Sequence, residues 1–482
     1  MNRSMILFVI GRVLLILGLL LLPPVAVALI CHEGWKGVLP FLYTIGICLA
    51  ACIPFQLRRP KQTRFYVREG FVIVALSWIL LSLLGGLPFV FSGWIPSLTD
   101  AFFETSSGFT TTGASILADP SLLPHSLLFW RSSTHFVGGM GILVFVLAVM
   151  PRIKSEDVHI MRAEVPGPTF GKIQAKLAGT ARILYLMYIC MTLILIALLL
   201  LGGMPLFDSI CNAFGAAGTG GFSITSKSIA AYASPYAEYV LAIGMFCFGA
   251  NFALIYVLVK GQIRTFLRNE ELRWYLGIAA AAITLICLDL AHVYPNFRTL
   301  FRDVFFTVSS IMTTTGYATA DFGKWPLFSQ LVLLFLMFVG GMAGSTAGGL
   351  KVSRVAVYVK SSFHELRRNA SPNRRVPMRF QGKPITPALL RQFHEYLLVY
   401  LLIFTLQIFI VSLDLPDFLS TFSAVSACFN NIGPGFSLVG PAQNYSHLSQ
   451  LSKWTLSIGM IMGRLELFPI LVLFSPRTWR RI

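Results

Sequence analysis

Charge is what this sequence has least of. Only 12% of its 482 residues are Asp, Glu, Lys or Arg, about half the share of an ordinary soluble domain. A soluble protein of this length needs far more polar surface, so that class is excluded. Acids are scarcer than bases, 20 against 38, which gives a net charge of +18. Such a charge could suit nucleic acid, but the basic residues sit in short loops between apolar stretches, not on a patch. A cysteine pattern is missing too. Cys31, Cys48, Cys52, Cys190, Cys211, Cys247, Cys287 and Cys428 are scattered, mostly inside apolar stretches. Cys48 and Cys52 can share one helix face, but they form no C-x-x-C and no histidine accompanies them. They read as small buried side chains, not as a redox or metal centre.

Nucleotide fingerprints and catalytic triads are also absent. The stretch GGMAGSTAGGLK at 340–351 ends in glycines and a lysine. It lacks the G-K-[ST] order of a phosphate loop and lies in an apolar run. No small-residue cleavage site breaks the apolar run from Met5 to Ile30, which is too long for a signal peptide and long enough to span. These features argue against an enzyme.

What is present is apolar sequence from end to end: 56% hydrophobic residues and a mean hydropathy of +0.73. Ten spans are expected, at 5–30, 38–56, 69–92, 123–150, 179–202, 235–260, 273–293, 325–350, 392–413 and 446–474. Counting them puts the basic loops on one side. These are Arg58, Arg59, Lys61, Arg64 and Arg68; Lys260, Arg264, Arg268 and Arg273; the segment 351–391 with Arg367, Arg368, Arg374 and Arg375; and Arg477, Arg480 and Arg481. That side is expected to be the cytoplasm, with both termini there.

Four of the opposite loops share a pattern. They read DAFFETSSGFTTTGAS from Asp100, DSICNAFGAAGTGGFS from Asp208, DVFFTVSSIMTTTGYA from Asp303 and STFSAVSACFNNIGPG from Ser420. Aligned on Gly113, Gly221, Gly316 and Gly433, each has an expected helix N-cap thirteen residues earlier: Asp100, Asp208, Asp303 and Ser420. Two residues after that cap stands Phe102, Ile210, Phe305 or Phe422. Agreement at fixed offsets four times marks a repeated unit of span, half-helix, glycine loop and span. Non-helical backbone at membrane depth is tolerated where it is buried in protein or lines water. A half-helix starting outside would aim its negative C-terminal pole inward, which favours cations. The expected fold is all-α, with ten transmembrane helices and four re-entrant pore helices in four parallel repeats around one pore. The expected units are 1–66, an N-terminal pair of spans; 67–155, 156–265 and 266–370, the first three repeats; and 371–482, the fourth.

On these motifs the chain resembles the bacterial TrkH and TrkG potassium uptake family, within the superfamily that includes KtrB and the plant HKT transporters. The resemblance covers nearly the whole chain. It rests on TTTGAS at 110–115, GGFS at 220–223, TTTGYAT at 313–319, NNIGPGF at 430–436, VGGMGI at 137–142, RAEVPGP at 162–168, GGMAGSTAGGLK at 340–351 and MGRLE at 462–466. Thr219 before its glycines, Thr315 before Gly316, and Ala347 depart from the common family pattern. The resemblance implies potassium as the transported ion, no bound organic cofactor, and a location in the bacterial inner membrane. It also implies a homodimer with one pore per chain and a TrkA-like cytosolic subunit that binds nucleotide and NAD.

The ion-binding filter expected on this basis is Thr111, Thr112 and Gly113; Thr219, Gly220 and Gly221; Thr314, Thr315 and Gly316; and Asn431, Ile432 and Gly433. Backbone carbonyls there would replace the ion's water. The expected gate is an intramembrane loop with Gly340, Gly341, Gly344, Ser345, Thr346, Gly348 and Gly349, together with Arg464. The bland alternative for this stretch is close helix packing through small residues. Arg464 is expected at the pore wall, with snorkelling to the cytoplasmic side as its alternative. Glu466 reads as an ion-pair partner. His135 is a packed or water-facing histidine with no acidic relay beside it. The other functional classes are an alternating-access or proton-coupled symporter and a membrane scaffold.

Overall fold

Helices begin and end where the short polar and glycine segments fall. The computed structural model describes residues 2–57, 67–141, 177–371 and 377–479. Arg58, Arg59, Lys61, Arg64, the end of the expected fourth span from Ile142 on, RAEVPGP at 162–168, Arg374, Arg375, Arg480 and Arg481 lie outside the described residues. Among the described residues the fold is all-α apart from a hairpin of two two-residue strands, Arg379–Phe380 paired with Lys383–Pro384. Among the described residues six helices are long and apolar enough to cross a membrane: Arg3–Ile30, Gly34–Gln56, Arg68–Phe91, Arg182–Leu201, Glu270–Leu290 and Pro387–Val411. Many of their large side chains are exposed, including Leu198, Leu288, Leu402 and Phe409, as suits a chain whose solvent is lipid.

Three of the remaining expected spans are interrupted. The sixth is two helices, Pro235–Phe248 and Phe252–Val259, bent by 104°. The eighth is helical only over Leu327–Phe338, and the chain resumes a helix at Val352. The tenth stops at Arg464 and restarts at Phe468, with Glu466 and Leu467 at positive φ. The described part of the fourth is the helix His125–Gly139.

Four half-helices lie between these spans: Leu98–Phe109, Leu206–Gly218, Phe297–Met312 and Phe418–Phe429. The expected N-caps are corrected here. Asp100, Asp208 and Ser420 are the third helical residues, and Asp303 lies inside its helix, which starts at Phe297, about two turns earlier than expected. The residues at the cap are Ser97, Pro205, Asn296 and Asp417; Ser97 and Asp417 accept from the N–H of Asp100 and Ser420. The displaced polar residues have another task, which is to hold neighbouring segments. Asp100 accepts from Lys453 Nζ at 2.7 Å, Asp208 from the Tyr232 hydroxyl at 3.0 Å, and Ser420 Oγ from the Leu438 N–H at 3.1 Å.

Packing closes the repeats into a ring. His125–Gly139 packs on the second half-helix, Pro235–Phe248 on the third, Leu327–Phe338 on the fourth, and Gln450–Arg464 on the first. Each repeat therefore backs the half-helix of the next, and the fourth returns to the first. The N-terminal helices lie outside this ring against the first repeat. Their contacts include Ser126 donating from N–H and Oγ to the Glu33 carboxylate.

Candidate functional site

The half-helices end alike. The residue two before each aligned glycine is left-handed: Thr111, Thr219, Thr314 and Asn431 have φ of 55°, 56°, 57° and 57°. A β-branched residue rarely adopts this conformation, which costs on the order of 1–3 kcal/mol. Helix-terminal hydrogen bonds hold it in place. The N–H groups of Thr112, Gly220, Thr315 and Ile432 reach back to the carbonyls of Ser107, Gly215, Ser310 and Ala427, each at 2.8 Å. This is the Schellman closure, written four times. The glycine that follows is also at positive φ, at 82°, 73°, 84° and 98° for Gly113, Gly221, Gly316 and Gly433.

These glycines bring the four loops together. A Cβ at Gly113 would stand 2.0 Å from the Gly220 carbonyl oxygen. One at Gly221 would stand 1.9 Å from that of Thr315, and one at Gly316 2.0 Å from that of Ile432. One at Gly433 would stand 2.6 Å from that of Thr112. The order runs first to second to third to fourth and back to first. Each loop thus puts the carbonyl preceding its own glycine into space that the glycine of the loop before it in this circuit leaves free. Asn431 Nδ2 donates to Thr112 Oγ1 at 2.9 Å across the closure.

The ring has two distinct sides. On one lies a cavity of about 120 Å³ walled by Gly113, Gly221, Gly316, Gly433 and residues after them. Among the described residues the one charged side chain in that wall is Arg131, paired with buried Glu104 at 2.6 Å. On the other side a loop, 339–351, touches the residues that precede the glycines. The Gly348 N–H donates to Thr314 Oγ1 at 2.7 Å, and a Cβ at Gly348 would stand 2.6 Å from the Asn430 carbonyl. The loop folds on itself, with Gly340 N–H donating to the Leu350 carbonyl at 2.8 Å. A Cβ at Gly340 would meet the Gly348 carbonyl, and one at Gly341 the side chain of Ala347. Glycines therefore permit its tight crossing.

The bend in the sixth span carries this loop. The break frees the carbonyls of Phe248 and Gly249, which accept from Thr346 Oγ1 at 3.1 Å and Met342 N–H at 2.9 Å. Asn251 Nδ2 donates to the Ala343 carbonyl at 2.6 Å, Phe252 N–H to that of Gly344 at 3.2 Å, and Ala343 N–H to Glu271 Oε1 at 2.8 Å. Within the loop, Ser345 Oγ donates to the Met342 carbonyl at 2.7 Å, and buried Lys351 Nζ donates to that of Ala347. Gly349 has φ of 65°. Arg464 is 5% exposed and does not snorkel. Its guanidinium donates to the carbonyls of Thr346 at 2.5 Å, Gly138 at 2.7 Å and Gly139 at 2.5 Å. Gly138 and Gly139 close a helix and leave carbonyls that need donors. Glu466 pairs with Arg354 at 2.6 Å.

All twelve expected filter positions meet in the ring, and the expected gate residues meet in the loop with Arg464 against it. The bend at Gly249–Asn251 was not expected. Its signal was Asn251 before an apolar run, a helix cap in the middle of an expected span. Asn251 caps the second helix by accepting from Leu254 N–H at 3.2 Å. The seating of Lys351 and the Arg131–Glu104 pair carry no comparable local mark.

The family model TrkH, described as a cation transport protein, matches residues 41–481. The chain is 36% identical over 475 residues to the Trk system potassium uptake protein TrkH of Salmonella typhimurium, covering 97% of each. It is 33% identical over 478 residues to the Trk system potassium uptake protein TrkG of Escherichia coli, covering 98% of this chain and 97% of that one. The crystal structure of the potassium transporter TrkH from Vibrio parahaemolyticus superposes with a TM-score of 0.89 at 32% identity, over 100% of both chains.

Proposed function

Because this chain belongs to the TrkH family of cation transport proteins, we propose that it takes up potassium across a bacterial inner membrane through a channel-like path. The path runs through the ring of four glycine loops. The observation that carries the reading is the closed ring itself. Four segments far apart in sequence adopt one backbone conformation and set the carbonyls of Thr112, Gly220, Thr315 and Ile432 each against the glycine of a neighbouring loop in a closed circuit. An ion entering a narrow path must lose water, and carbonyl oxygens can replace it. Their partial charges, with the C-terminal poles of four half-helices, favour a cation. Thr111–Gly113, Thr219–Gly221, Thr314–Gly316 and Asn431–Gly433 form the filter. Gly113, where a serine would add a side chain, suits potassium over sodium.

Gly340, Gly341, Gly344, Ser345, Thr346, Gly348 and Gly349 form the gate that closes the path on the far side of the ring. Arg464 holds it shut, pinning the Thr346 carbonyl and adding a positive charge that repels cations. Ten spans with both termini in the cytoplasm and the units 67–155, 156–265, 266–370 and 371–482 complete this reading, with 1–66 as an outer pair. The working assembly is a homodimer with a TrkA-like nucleotide-binding subunit. That subunit docks on the basic segment 351–391, where Arg367 and Arg368 end the helix Val352–Ala370. Potassium-uptake-deficient cells expressing the chain are expected to grow at low external potassium. Purified protein in vesicles is expected to pass potassium at the same rate with and without a proton gradient. A flux that needs the proton gradient would overturn the channel reading.

A further inference from the structure

The four loops are locked from behind in different ways. In the first, Thr110 Oγ1 and Thr112 Oγ1 are 2.7 Å apart; in the third, Thr313 Oγ1 and Thr315 Oγ1 are 2.8 Å apart. The fourth carries Asn430 and Ile432 at these positions, and Asn430 is tied to the Tyr400 hydroxyl at 2.8 Å and the Ser426 carbonyl at 3.0 Å. The second carries Gly218 and Gly220, so no side chain of its own can do this.

What fills that space comes from the neighbouring repeat. His135, on the helix His125–Gly139, is fully buried. A Cβ at Gly220 would stand 2.0 Å from its Nδ1 and 2.4 Å from its Cε1, and one at Gly218 would stand 2.2 Å from its carbonyl oxygen. Its ring lies nearly parallel to that of Phe222, with centroids 4.1 Å apart. One turn earlier on the same helix, Arg131 places its guanidinium 3.5 Å from the Phe222 centroid and donates to the Ser223 carbonyl at 2.7 Å. His135 thus touches the second loop at 218, 220 and 222. Neither ring nitrogen has a hydrogen-bond partner among the described residues. Its contribution there is the volume and shape of the ring.

We infer that His135 is a positioning residue for the filter, its ring standing in for the side-chain lock that the second loop lacks and setting where the Gly220 carbonyl lies. That carbonyl is the one facing Gly113. The inference rests on the filter reading above. It adds that Gly220 and His135 are a complementary pair, in which a side chain at one position requires a smaller one at the other.

The test is cation flux in vesicles holding purified full-length protein, with potassium and sodium compared for His135→Ala, Gly220→Ala, the double variant and His135→Gln. His135→Ala is expected to lower the potassium-over-sodium ratio roughly tenfold, since a cavity behind the loop lets it shift by a fraction of an ångström. Gly220→Ala should lower it at least as far, and the double variant should recover much of the loss. His135→Gln, a planar group of similar reach, should stay near the parent. An unchanged ratio in folded His135→Ala, or a double variant no better than Gly220→Ala, would overturn the inference. If His135→Ala does not fold, the comparison of Gly220→Ala with the double variant decides. If the unaltered protein shows no potassium selectivity, the filter reading fails first, and that outcome is separable from the His135 result.

Discussion

Replacing Gly113 by Ser perturbs one joint of the ring and nothing else. The added Cβ would stand 2.0 Å from the Gly220 carbonyl oxygen, where real Cβ contacts essentially never fall below 3.0 Å, so about 1.0 Å must be found. The obstacle is backbone, held by the 2.8 Å bond from Gly220 N–H to the Gly215 carbonyl, so it cannot swing aside as a long side chain would. Gly113 also sits at φ 82°, a conformation that costs a non-glycine residue roughly 1–2 kcal/mol. The ring must open or tilt at that joint. A displacement near 1 Å exceeds the difference in radius between potassium and sodium. The potassium-over-sodium ratio is therefore expected to fall about tenfold or more. Purified protein in vesicles, checked for folding by its elution volume and thermal midpoint, gives the ratio from parallel fluxes. Gly433→Ser is the internal control, because its Cβ would have 2.6 Å and its ratio should suffer less. An unchanged ratio in folded Gly113→Ser would refute the reasoning.

Three further outcomes follow from the loop and its anchors. Arg464→Ala removes three charge-assisted hydrogen bonds, one of them to Thr346, and is expected to raise potassium flux without changing the potassium-over-sodium ratio; flux at or below the parent would put Arg464 outside the barrier. Deleting residues within 343–348 is expected to raise basal flux in stably folded protein, and reduced or unchanged flux would show that the loop is not the barrier. Glu466→Ala leaves Arg354 without its carboxylate, and with side chains 8% and 22% exposed the cost lies between the exposed and buried limits, about 1–3 kcal/mol. It should lower the thermal midpoint more than the conductance.

The sequence carried the repeats because backbone demands recur at fixed spacing: a left-handed residue, then a glycine two later, at 111 and 113, 219 and 221, 314 and 316, 431 and 433. Glycine is hard to replace there, so its spacing is visible without any coordinates. The helix starts were less legible. Asp100, Asp208 and Asp303 look like caps by type, but a carboxylate also suits the first turn or a tertiary partner, and spacing cannot tell these apart. The 104° bend was hidden because its sequence is apolar on both sides and the loop that satisfies its freed carbonyls lies some 90 residues away, as in the 92-residue separation between Asn251 and Ala343. Arg464 was suspect from its apolar surroundings, but its three carbonyl partners come from two other repeats. Likewise the fit of His135 to Gly220 exists only once the first repeat is folded against the second.

The most direct test of the central claim is selectivity in the unaltered protein. Vesicles containing purified chain and no regulatory subunit would be loaded and challenged in turn with potassium, rubidium, sodium and lithium. A ring of four carbonyl-bearing glycine loops predicts that potassium and rubidium pass at similar rates and that sodium and lithium lag well behind. Equal passage of all four ions, or sodium ahead of potassium, would contradict the assignment of the ring as a potassium filter.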